Sequence, residues 1–420
     1  MADLKTMNLG DNINLTLIKS SKFKTNLISV YIQRNLDRDE VTKNSLLAEV
    51  IISGSEKYPS LREITSELEN FYGASLASNA IKKSEKQIIQ FRLFGVNDKF
   101  LDEKVFKDMV VFLDEIINHP LVVDAGFDER YLAIEKTNLK DRIRASINDK
   151  MYYSQKKCIE AMCEGEKYSI DECGYEEDID GISARDLYEH YRNVLKTSPI
   201  DIIVEGDFDE DEVVSIMKDK FNFDRGDIIE IPKEDFKKEV TQVKNIEEKM
   251  EIAQGKLIMG FRANVDYMDI GKYCALMVGN SVLGGGAHSK LFNNVREKES
   301  LCYYIYSSVE KSKSLMFISS GIEVENYDKA RKIIDEQLKE VQNGNITEDE
   351  LTNSKKALIS GTRSVADNIG GMSEFTFSQF ASKSNQTLDE LIEAVEKVTV
   401  DEIVDTMKNI ELDTVYFLRN

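Results

Sequence analysis

Runs of polar and apolar residues in the first half of the chain, Asn14–Ile18, Leu27–Gln33, Ser75–Ala80 and Gln87–Phe94, read as strands that come in consecutive or hairpin-like pairs. Between them lie a predicted helix around Leu46–Ile52 and another starting at Ser60. There Ser60 and Glu63 make a capping box, and Gly73 ends the helix. In the second half, Gly284, Gly285 and Gly286 form a loop without side-chain bulk. A short amphipathic helix follows, with Leu291, Phe292 and Val295 on one face and Arg296 beside them. After Ser300 an aromatic, β-rich run from Cys302 to Tyr306 predicts a strand.

The order of elements repeats with an offset of roughly 215–220 residues. Phe106–Asn118 followed by Phe127, Asp128 and Glu129 parallels Ala330–Gln342 followed by Ile346, Thr347 and Glu348. Ile182–Leu187 parallels Val398–Ile403; both place a hydroxyl three residues before an acid, and Thr399 with Glu402 forms a capping box. Each of these helices leads to a strand, Ile200–Val204 in one half and Asp413–Leu418 in the other. The expected class is α+β: two similar domains in tandem, each a largely antiparallel sheet with helices packed on one face. The charge-rich stretch Phe223–Val240, which contains Pro232, is the expected boundary. It divides the chain into 1–230 and 231–420.

Composition narrows the function classes. The 420 residues exceed what one core usually serves, and an apolar content of 41% suffices for globular domains. A net charge of −21 opposes binding to nucleic acid, whose phosphates it would repel. It describes either a solvated acidic surface or an acidic chamber favouring basic peptides. The first twenty residues lack a basic region followed by an apolar run, and no stretch approaches 18 consecutive apolar residues. The expectation is a cytoplasmic protein without a membrane span. Cys158, Cys163, Cys173, Cys274 and Cys302 match no zinc spacing, so reduced structural thiols are expected.

The chemistry concentrates in Leu283–Tyr306, LGGGAHSKLFNNVREKESLCYYIY. A glycine loop admits another backbone at close range, and an Arg and a Tyr nearby can both point at the approaching group. This stretch resembles the second domain of pitrilysin/insulinase-type zinc peptidases, whose metal motif is H-x-x-E-H. Arg296 and Tyr303 fall on the family's Arg and Tyr that contact the scissile carbonyl, and Gly284, Gly285 and Gly286 fall on its substrate-binding loop. At the other end the resemblance anchors on Gly54 and on Tyr58, Pro59 and Ser60. That alignment puts Ser45, Ala48 and Glu49 where the family has its two histidines and its general-base glutamate. Downstream, the family's two glutamates seven apart fall on Glu135 and Arg142. A peptidase zinc needs three protein ligands and an open position, so the resemblance implies no metal in this chain.

What the resemblance implies is a metal-free subunit of a heterodimeric zinc metallopeptidase. A sister subunit would hold the zinc, and this chain would bring Arg296 and Tyr303 to the carbonyl of a peptide substrate. The alternative is a catalytically inactive scaffold or peptide-binding protein, for which Arg296 and Tyr303 have no use. His288 lacks an acidic or cysteine partner at useful spacing and reads as a loop residue. Cys302 reads as a strand residue; Tyr304 and Tyr306 read as strand packing, Tyr304 facing away from Tyr303.

Overall fold

The computed structural model describes residues 3–420 and divides into two compact units. The first takes in the chain up to Ala145 together with Ile170–Pro232 and Val365–Ala381. The second comprises Ser146–Ser169, Lys233–Ser364 and Ser382–Asn420. The units are therefore discontinuous in sequence, whereas the expected domains ran unbroken over 1–230 and 231–420.

The first unit holds a six-stranded sheet of β1 (Asp3–Gly10), β2 (Ile13–Lys19), β3 (Thr25–Asn35), β4 (Ser75–Lys83), β5 (Lys86–Val96) and β6 (Ile200–Gly206). Their order is β1-β2-β6-β3-β5-β4. Only β2 and β6 run parallel. Val30, Ile32, Phe91 and Val204 turn one face toward the helices Val41–Ile51, Phe106–Asn118 and Ala184–Thr197. The other face presents Ile18, Tyr31, Ile88 and Ile203 to Phe377 of the helix Gly371–Ala381. The Tyr31 and Phe377 rings stack with centroids 3.9 Å apart and planes 6° from parallel. A strand buried on both faces reads as a continuous apolar run, which is why Ile200–Val204 lacks polar alternation.

The second unit holds β7 (Lys244–Lys249), β8 (Gly255–Arg262), β9 (Cys302–Glu310), β10 (Leu315–Ile322) and β11 (Glu411–Arg419), ordered β9-β10-β8-β11-β7. Read from its far end, this is the order of β2 to β4 in the first sheet, again with one parallel pair, β7 and β11. The repeat inferred from the sequence is thus a repeat of topology. Leu257, Met259, Ile318 and Phe417 pack on one face with the helix Ile270–Gly284 and its neighbours. The opposite face, with Ile258, Phe317 and Tyr416, is covered by Cys158 and Met162 of the helix Lys150–Met162. Each unit thus has helices mainly on one face and a single helix, drawn from a distant part of the chain, on the other.

Beneath that second cover sits a buried ionic cluster. Arg262 donates to Asp413 at 2.9 Å and to Glu166 at 2.6 Å, and the Lys313 ammonium lies 2.8 Å from the other Glu166 oxygen. It ties the turn after the helix Lys150–Met162 to the sheet.

Candidate functional site

In the first unit the helices Val41–Ile51 and Glu129–Ala145 carry the positions that correspond to metal ligands. Ser45, Ala48 and Glu49 are three and four residues apart, so one helical face presents all three. Ala48 is buried. The Ser45 hydroxyl donates to the Glu172 carbonyl at 2.5 Å, away from any shared centre. Glu49 accepts from Arg142 Nη1 at 2.8 Å. The position aligned with the second glutamate of the family does face Glu49, and it brings a cation. Glu135 is buried and takes hydrogen bonds from Ser53 at 3.2 Å and Asn138 at 2.9 Å.

These residues do not fit zinc. A hydroxyl bonded to the backbone, a methyl group and a carboxylate already held by a guanidinium cannot supply three ligands. Among the described residues no group of three His, Cys, Asp or Glu side chains is placed to hold a metal ion. Behind Ser45 lies a polar network that the sequence did not reveal. His190 Nε2 meets Asn44 Oδ1 at 2.7 Å, Asn44 donates to Gln87, and Gln87 donates to the Glu172 carbonyl at 2.8 Å. Burial pushes the His190 pKa down to about 4, so the ring is neutral near pH 7.

The second unit keeps an open site. The helix Ile270–Gly284 runs into the glycine loop, where bulk is excluded by backbone: a Cβ on Gly284 would lie 2.6 Å from the Ser307 nitrogen. Phe292–Lys298 is wound as a π-helix, a form often found at functional sites. Leu291 and Val295 anchor it in the core. Lys290 grips both oxygens of Glu350 at 2.9 and 3.0 Å, and Asn294 donates to Gln337 at 2.7 Å. Arg296 is left on the outer side, its guanidinium 4.7 Å from the Phe292 ring centre and its Nε 3.6 Å from Glu297. A cavity of about 380 Å³ opens here, lined by the three glycines, Phe292, Arg296, Tyr304 and Tyr306 among others.

Two comparisons decide the family. Residues 181–358 match the model described as the peptidase M16 inactive domain. The chain is 34% identical over 405 residues to the "Probable inactive metalloprotease YmfF" of Bacillus subtilis, covering 96% of this chain and 95% of that one. The chain belongs to the M16 peptidase family. A second B. subtilis relative, "Uncharacterized zinc protease YmxG", is 24% identical over 341 residues, covering 76% of this chain and 80% of that protein. Among solved structures, a conserved protein from Enterococcus faecalis matches with a TM-score of 0.90 at 29% identity, over 99% of this chain and 98% of that one.

Within this M16 chain the sequence-derived site residues are partly brought together. Arg296 and Gly284, Gly285 and Gly286 share the cavity; Tyr303 is not among its lining residues and is 77% exposed. The cause is a β-bulge. Cys302 pairs with Ile322 and Tyr304 with Gly321, which leaves Tyr303 as the extra residue. Tyr304 and Tyr306, read from the sequence as packing, line the cavity instead. Cys302 is half-buried and burial raises its thiol pKa, contrary to what a nucleophile requires. His288 bonds to Ser281 at 3.3 Å within the loop. No helix is long and apolar enough to cross a membrane among the described residues.

Proposed function

We propose that this chain is the metal-free subunit of a two-chain zinc peptidase of the M16 type. A zinc-bearing sister of the same fold would supply the metal and the general base. This chain would supply the glycine loop and Arg296, with a tyrosine of β9, toward the peptide carbonyl. The observation that carries the reading is a contrast between two arginines. Arg142 is bonded to Glu49 where a metal would be held, while Arg296 stands at an open cavity floored by glycine. The presence in one organism, B. subtilis, of relatives named both as an inactive metalloprotease and as a zinc protease supports a division of labour.

The test is co-expression with a zinc-bearing sister, followed by size-exclusion chromatography with light scattering and a peptide-cleavage assay. A 1:1 complex that cleaves unstructured peptides and stops on chelation is expected. A stable complex needs at least about 1,000 Å² of interface. Separate species, with and without peptide, would overturn the proposal. A second reading, a peptide-binding protein that takes no part in hydrolysis, is favoured by the position of Tyr303 outside the cavity that Arg296 lines.

A further inference from the structure

The segment Val365–Ala381 covers the face of the first sheet that carries Ile18, Tyr31, Ile88 and Ile203. Its apolar contribution is small: Phe377 and Ala381, with the partly buried Met372 and Phe380. Polar contacts fasten the rest. Lys22 donates to Asp367 at 2.7 Å, and Glu374 accepts from Tyr31 at 3.0 Å and from Gln90 at 2.6 Å, with Lys83 3.5 Å away. Glu205 of β6 holds the start of the helix. One of its oxygens accepts from the nitrogens of Gly370 and Ser373 at 2.9 and 3.2 Å, and from the Ser373 hydroxyl at 2.9 Å. Its other oxygen is buried and has no hydrogen-bond partner among the described residues.

Asp367 and Glu374 each have an ammonium at hand, whereas Glu205, 1% exposed, takes its hydrogen bonds from uncharged donors. Arg92 of β5, whose guanidinium packs where a Cβ on Gly370 would lie, attracts it by charge alone. A buried carboxylate so placed is costly when charged and far less so when neutral. We propose that Val365–Ala381 is a proton-gated strap: protonation of Glu205 seats it on the sheet, and loss of that proton loosens it. The protonated group still accepts from Gly370 and Ser373 through its carbonyl oxygen, and its hydroxyl takes the position that lacks a donor.

Burial pushes the Glu205 carboxyl above its ordinary value of 4.5, outweighing the Ser373 and Gly370 donors and the charge of Arg92. The seated strap therefore keeps the proton longer than the open one. Stability present below about 4.5 is lost as the pH rises through the seated value. Asp201, on the same face of β6, is raised by burial too, but its donors are Asn14 at 3.0 Å and Gln33 at 2.7 Å, neither of them in the strap. Burial also raises the Tyr31 hydroxyl, which stays neutral through this range. The Lys22–Asp367 and Lys83–Glu374 pairs are partly exposed and weaken with salt, which separates them from a buried carboxyl.

Hydrogen–deuterium exchange of the full-length chain at about pH 5.5 and about pH 8 tests this, each rate being divided by that of an unprotected amide. Strap amides should be roughly threefold or more better protected at the lower pH, in low and in high salt, while the helix Phe106–Asn118 on the opposite face shows no such change. Glu205→Gln keeps the acceptor without the charge, so its strap should be equally protected at both pH values. Ser373→Ala removes a donor to the carboxylate and should steepen the dependence; Asp201→Asn should leave it in place. A pH-independent strap in the wild type would overturn the proposal, whether or not the variants fold. So would a dependence that survives Glu205→Gln, disappears in Asp201→Asn or high salt, or is shared by Phe106–Asn118.

Discussion

Arg142 on the first unit's helix pair and Arg296 beside the second unit's glycine loop are both partly exposed arginines, and they sit in opposite circumstances. Arg142 meets Glu49 at 2.8 Å; the nearest carboxylate to Arg296 lies at 3.6 Å, and its guanidinium rests over an aromatic ring at the glycine-lined cavity. A paired guanidinium has little left to offer an incoming group. One held by a ring face and a weak contact keeps its donors available, because the attraction of a ring is a small part of what a carbonyl oxyanion would give. The comparison teaches that two side chains of the same type can be told apart by their partners, one committed to an ion pair and the other with donors to spare.

A buried arginine sets the upper limit for this comparison. Arg262 is 3% exposed, and Arg262→Ala would strand Asp413 and one side of Glu166 without a cation. The expected loss is about 3–5 kcal/mol of stability, measured by urea unfolding. At Arg296 the effect should appear in rate instead. In the two-chain enzyme proposed above, Arg296→Ala should lower kcat by about 10²–10³ with zinc content and assembly unchanged, and Arg296→Lys should not restore it. An equal loss of stability in this variant would mean that Arg296 is structural after all.

The pH dependence offers a smaller effect with a definite sign. Burial alone would raise the Glu166 pKa, but hydrogen bonds from Arg262 and Lys313 outweigh it and hold the carboxyl below its ordinary value of 4.5. A depressed folded-state value contributes stability above that pH and loses it as the pH falls further. The melting-temperature gap between wild type and Glu166→Gln should therefore narrow on acidification below about 4.5. Smallest of all is Arg142→Ala. Its bridge to Glu49 is 44% and 22% exposed, so the cost should stay below about 1 kcal/mol. Chelator should leave the melting temperature of that variant and of wild type unchanged; a chelator-sensitive transition in wild type would mean a metal is bound after all.

Much of the fold was legible because its signals are local. The Thr399–Glu402 capping box forms as expected, with Glu402 accepting from the Thr399 nitrogen at 2.7 Å and Thr399 accepting in return at 3.3 Å. The strand expected at Asn14–Ile18 runs over Ile13–Lys19. Glu135 and Arg142, seven residues or nearly two turns apart, share one face of the helix Glu129–Ala145, whereas the pairing of Arg142 with Glu49 joins two helices and was not legible. What stayed hidden depends on partners far away in sequence. The strand Asp3–Gly10, with its polar and charged run, is held by antiparallel pairing with its neighbour and not by its own pattern. The bulge at Tyr303 is a register event between two strands, and no single-strand alternation reveals it. The covering helices Lys150–Met162 and Gly371–Ala381 read as amphipathic or nearly featureless, and nothing in either names the sheet it covers.

Those two helices bear on how the molecule can be made. The first sheet has no cover for Tyr31, Ile88 and Ile203 until the segment Val365–Ala381 has been synthesised, long after its last strand at Ile200–Gly206 is complete. A nascent chain must therefore hold an apolar sheet face bare while most of the second unit is translated. Nor could the duplicated halves be cut apart at the linker and expressed singly, since each fragment would leave with the other's cover.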